Sequence, residues 1–143
     1  MAVTFTNNWK NILDKIRSVL RTEFKKTLQV YIGNEEVAGN QYISLNPTGS
    51  TLSTYATNSE IREFSIEMLF NFNDANVKRT SLDHVLRLVS RIEALIHDNM
   101  KMTLSDSSSI FNCRIDGTAI EPQEEGGYII NFDFKCMHQG NLS

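Results

Sequence analysis

The sequence predicts a single α+β domain, residues 1–143, with a mainly antiparallel or mixed β-sheet flanked by two amphipathic helices, a long loop and an extended β-hairpin. Three observations predict it. Two stretches repeat apolar residues every three or four positions, the period of a helix with one buried face. Several others alternate apolar and polar residues, the period of a strand. The length, 143 residues, suits one core, which at this size buries roughly two-thirds of the surface an unfolded chain exposes.

The first helix is expected over Asn8 to Thr27. Trp9, Ile12, Leu13, Ile16, Val19, Leu20 and Phe24 form its apolar stripe, and Asn7 or Asn8 can cap its start through a side-chain oxygen. Leu28 to Gly33 reads as a strand with Leu28, Val30 and Ile32 on one face. Asn34 to Asn40 reads as a polar turn, and Gln41 to Leu45 as an antiparallel partner strand. Asn46 to Ser59 is rich in hydroxyl residues, with one Pro and one Gly, and is expected to be a long loop of functional use. Glu60 to Phe72 is the clearest strand, with Phe64, Ile66, Met68, Phe70 and Phe72 on one face. At about 3.3 Å per residue it reaches roughly 40 Å, so it is expected to project from its sheet or bend at a bulge.

After Asn73 to Lys78, a second helix is expected from Ser81 to Asn99, with Thr80 and Asp83 at capping-box spacing. Its core face is assigned to Leu82, Val85, Leu86, Val89, Ile92 and Ile96. Leu88 and Leu95 fall off that stripe, pointing to a contact with another subunit. Met100 to Ser109 is a mixed connection. Ile110 to Ile120 and Gly127 to Met137 read as a terminal hairpin, and the tail from Gln139 is expected to be loose. The four-residue turn Gln123 to Gly126 places Cys113 and Cys136 opposite each other, both expected as buried thiols.

Composition narrows the function. With 41% hydrophobic and 22% charged residues the chain is ordinary for a soluble protein, and no apolar run approaches the roughly 20 residues that span a bilayer. Residues Met1 to Asn8 lack the pattern of a signal peptide, so function in a cytosol, or in something assembled there, is expected. A net charge of -3 argues against general nucleic-acid binding. One basic cluster stands out in the first helix, where Lys15, Arg17, Arg21 and Lys25 either form a solvated face or meet an acidic partner or a DNA channel.

No chemistry emerges. The histidines and cysteines lack zinc spacing, there is no phosphate-binding glycine motif, and no nucleophile elbow is present. Asp83 and His84 are explained as polar residues in a helix first turn. The expectation is a protein without catalysis, cofactor or metal, acting through its surfaces.

The order helix, strand pair, long loop, long strand, helix, terminal hairpin resembles the tail terminator, or tail completion, proteins of tailed bacteriophages. WKNILDKIRSVLRTEF (Trp9 to Phe24), VYIG (Val30 to Gly33), NQYISLNPTGSTLS (Asn40 to Ser53), REFSIEMLFNF and SLDHVLRLVSRIEAL carry the resemblance, which covers most of the chain. It implies a virion protein, assembled in the host cytoplasm, that forms a hexameric ring. Such a ring caps the tail tube and joins it to a head-completion or connector protein, and DNA passes through its lumen. The rival expectations are a head-completion or neck protein and, in a different class, a cytosolic module binding a ligand or partner. The physical reading alone selects Pro47, Leu52, Tyr55 and Ile61 as the subunit or tube interface, because apolar area in a polar segment becomes useful when a partner buries it.

Overall fold

The computed structural model describes residues 7–25, 28–33, 41–55, 59–72, 81–123 and 127–141. The expected turn at Asn34 to Asn40, the segment Asn73 to Lys78 and the cap at Thr80 lie outside them, as do Glu124 to Gly126 of the last turn. Helix α1 spans Asn8–Phe24, and Asn7 Oδ1 accepts the Lys10 backbone N–H at 3.1 Å. The helix ends at Phe24, short of the expected Thr27, because Lys25 turns to φ +52° and donates its N–H to the Arg21 carbonyl at 2.7 Å. Strands β1 (Gln29–Ile32), β2 (Gln41–Tyr55) and β3 (Ser59–Phe72) follow. Then come α2 (Ser81–Asp98), β4 (Met102–Thr103), β5 (Ser109–Pro122) and β6 (Tyr128–Asn141). The strands form one mixed six-stranded sheet in the order β1-β2-β3-β6-β5-β4, curled into a half-barrel.

The strands also depart from expectation. β1 pairs with β2 in parallel, with Val30 opposite Ile43, whereas an antiparallel partner was expected. The expected loop Asn46 to Ser59 is strand as far as Tyr55, paired with β3 down to Tyr55 opposite Glu60. The expected loose tail from Gln139 is the end of β6, where Gln139 opposes Ile61 and Asn141 opposes Ser59.

The core lies on one side of the sheet. Phe64, Ile66, Met68, Phe70 and Phe72 of β3 are buried together with Ile130, Phe132, Phe134 and Cys136 of β6, which stand opposite them in register. That face meets Ile12, Leu13, Ile16, Leu20 and Phe24 of α1 and Val85, Val89, Ile92 and Ile96 of α2 in one cluster. Each fully buried side chain of this size contributes about 1.5–3 kcal/mol, which fixes the side of every strand. Trp9 packs edge-on against Phe64 with ring centroids 4.7 Å apart. On α2 the expected stripe is rotated by a step: Leu88 is buried in this chain's own core, and Leu86 is 40% exposed. Between the helices, Arg91 lies 4.6 Å over the Phe24 ring and pairs with Glu23 at 2.9 Å.

Candidate functional site

The β2–β3 hairpin places the expected interface residues. Among the described residues β1 covers β2 only from Tyr42 to Leu45, and from Asn46 onward β2 is hydrogen-bonded to β3 on one side with no strand paired on the other. This explains how Pro47 fits, since an edge strand tolerates a residue without an N–H. A bulge between Pro47 and Gly49 follows, and Thr48 Oγ1 donates to the Ser65 carbonyl at 3.0 Å. A second irregularity lies between Leu52 and Thr54. Pro47 to Tyr55 are all exposed, the large apolar side chains Tyr55 at 68% and Leu52 at 44% among them. Leu52 stands opposite Arg62 and Tyr55 opposite Glu60, so the two share a sheet face. Ile61, opposite Thr54, is half-buried on the other face. The structure therefore brings Leu52 and Tyr55 together, sets Pro47 at the bulge, and separates Ile61 from them.

The basic cluster divides. At 3.6 residues per turn, Arg17 and Arg21 fall along one flank of α1 and Lys15 on the opposite flank, while Lys25 follows the helix as its C-cap. Arg17 pairs with Asp14 at 3.4 Å. Arg21 donates to the Val30 carbonyl at 3.0 Å, fastening α1 to strand β1. Asp14, Arg17, Ser18, Arg21 and Thr22 line a shallow, open depression of about 470 Å³. Lys25 is exposed, Lys15 half-buried.

The sheet's other face is polar and braced by charge. Arg114 pairs with Glu63 at 3.3 Å and Asp116 at 2.8 Å, and Lys135 reaches Asp116 at 3.5 Å. These pairs cross β3, β5 and β6 and add register more than stability, since partly exposed pairs contribute little.

One group escaped the sequence reading. His138, buried on β6, lies 3.0 Å by Nε2 from Ser108 Oγ, and Ser108 Oγ donates to Asp106 Oδ1 at 2.5 Å. The residues are those of a catalytic triad, but the order is wrong. In a triad the acid orients the imidazole, which takes the hydroxyl proton. Here the hydroxyl proton is committed to Asp106, so Nε2 must carry hydrogen and donate to Ser108. The network is a brace between the β4–β5 turn and β6. Only the strand register of β6 makes His138 inward-facing, and its place beyond the expected end of the strand concealed it. Among the described residues no group of three or more His, Cys, Asp or Glu could hold a metal, and no helix is long and apolar enough to cross a membrane.

No protein-family profile and no curated protein matches the chain. Solved structures do share its fold. A chain of the virion of a native gene transfer agent (GTA) particle superposes with a TM-score of 0.64 at 10% identity, covering 95% of this chain and 100% of that one. A second solved chain, of no stated function, gives 0.59 at 11% identity over 98% and 100%.

Proposed function

We propose that this chain is a structural protein of a phage-type virion, forming a ring, most simply a hexamer, that caps the tail tube and joins the tail to the head connector. The observation that carries this reading is the end-to-end likeness to a chain of a GTA virion particle, with neither chain leaving a substantial part over. The surface design agrees. The longest strands converge on a hairpin that carries exposed Leu52 and Tyr55 outward on an open edge, a feature that a lone domain has no use for and a ring interface does. Pro47, Leu52, Tyr55 and Ile61 are assigned to the contact with the neighbouring subunit or the tube. The Arg17 and Arg21 flank of α1 and the Lys25 cap beyond it, with Lys15 apart from them, are assigned to an acidic partner or to DNA passing through the lumen without sequence readout. The reading involves no catalysis and no cofactor.

The deciding experiment is localisation in an electron-microscopy reconstruction of the particle that contains this protein. Density at the top of the tail tube, between tube and connector, is the expected outcome. A ring directly beneath the portal assigns the chain to head completion instead, and absence from the particle removes the virion reading altogether.

A further inference from the structure

The β5–β6 pair contains a defect at a telling place. Phe111 opposes Met137 and Arg114 opposes Lys135, so Asn112 and Cys113 together stand against the single residue Cys136. This is the two-for-one arrangement of a β-bulge. Asn112 takes φ +54° to make it, and the Cys113 N–H leaves the ladder to bond the Met100 carbonyl at 3.0 Å. The bulge turns Cys113 into the core, 1% exposed, on the face where Cys136 is 0% exposed. The two free thiols therefore face each other across adjacent strands. The two thiols are within hydrogen-bonding reach of each other, the approach from which a cross-strand disulfide can close.

We propose that Cys113 and Cys136 form a dithiol poised to close into a cross-strand disulfide, with a small-molecule disulfide such as oxidised glutathione as the oxidant. Hydrogen bonding from the Cys136 thiol holds Cys113 below the usual thiol range, while that bond and then burial push Cys136 up. Cys113, on the bulge of the strand nearer the sheet's edge, is the sulfur an oxidant reaches first and so the attacking one. Its thiolate breaks the S–S bond of oxidised glutathione, forming a mixed disulfide and releasing one glutathione thiolate. Cys136 then gives its proton to solvent and attacks the Cys113 sulfur, expelling the second glutathione. Two protein thiols are oxidised and one glutathione disulfide is reduced to two glutathione molecules. Access requires local opening of β5 beside the bulge, so the intact fold closes slowly and a refolding chain quickly. The inference is independent of the assembly reading and concerns the stability of one protomer.

The test oxidises the purified protein in two ways, by long incubation of the folded state with oxidised glutathione and by refolding in a glutathione redox buffer. The expected product has lost two hydrogens by intact mass, shows a Cys113–Cys136 cross-link in peptide maps, and melts roughly 10 °C higher, reversibly with dithiothreitol. Cys113→Ser and Cys136→Ser variants should show no such response. Should either variant fail to fold, the mass and peptide map of the natural sequence still decide. A refolded product with two free thiols, with glutathione adducts alone, or with a disulfide that lowers the melting temperature overturns the proposal.

Discussion

At the scale of single residues, His138 makes this protein sensitive to mild acid. Burial holds its imidazole below the usual range, against the opposing pull of the Asp106 and Glu60 carboxylates. The unfolded chain therefore takes up this proton first, and stability is complete above about pH 6.5 and falls as pH drops toward the folded-state value. Asp106 works in a lower window. Its carboxyl is held below the usual range chiefly by the Ser108 hydroxyl, so its contribution is present above the ordinary carboxylate value and is lost only in stronger acid. Denaturation midpoints at pH 7.5 and 5.0 should thus fall more for the natural protein than for His138→Gln, which keeps a donor toward Ser108 but cannot charge. Equal slopes would refute the assignment. Arg21 gives a second prediction. Its bond to the Val30 carbonyl makes it structural as well as charged, so Arg21→Ala should cost about 1 kcal/mol in urea unfolding. Lys25→Glu, at an exposed site, should change stability by less than about 0.5 kcal/mol, and any assembly defect it causes reports the charge alone.

At the scale of elements, the β2–β3 hairpin is where the assembly reading is most exposed to test. Leu52→Asp with Tyr55→Asp replaces two exposed side chains outside the core, so the monomer should keep its circular dichroism and melting temperature. Joining of tails, or self-association, should be lost. A variant that assembles normally makes the hairpin decoration. The same element explains what a sequence can and cannot disclose. β3 was legible because five apolar residues alternate and all meet the core. Distal β2 was not, because an edge strand exposed along both faces has no burial pattern, and its Asn, Pro, Thr, Gly and Ser residues carry the composition of a loop. The parallel β1–β2 pairing was hidden for another reason: four residues of period two are the same whichever way their neighbour runs. On α2, Leu86 and Leu88 sit either side of the stripe boundary, and only tertiary packing decides that Leu88 goes in. The candidate surface was partly legible, Leu52 and Tyr55 as apolar residues in a polar segment. The splitting of Ile61 and Lys15 from their groups follows from register and helix phase, which the reading by clusters ignored.

At the scale of the whole molecule, the sheet has two unlike long edges. Among the described residues, distal β2 has no strand paired on its outer side beyond Leu45, and on the far side β4 pairs with β5 only at Ser109 and Ile110. An open strand edge offers unpaired backbone groups to any matching partner, and monomeric proteins usually blunt or cover such edges. Two unlike surfaces that meet each other join head to tail, and such a contact closes into a ring when its rotation allows. A stable interface of this kind needs roughly 800 Å² from each partner, more than Leu52 and Tyr55 supply alone, so the hairpin backbone and its hydroxyl side chains must enter the contact as well. Native mass spectrometry of the 16.3 kDa chain should therefore show one closed oligomer without larger open series, a hexamer on the ring reading. The Leu52→Asp, Tyr55→Asp variant should shift it to monomer. If the natural chain is monomeric both alone and when mixed with tail tubes, the heterologous contact does not exist and the ring is wrong. If it is a ring that the double variant leaves intact, the ring stands and the hairpin is not its seam, which places the contact elsewhere on the protomer.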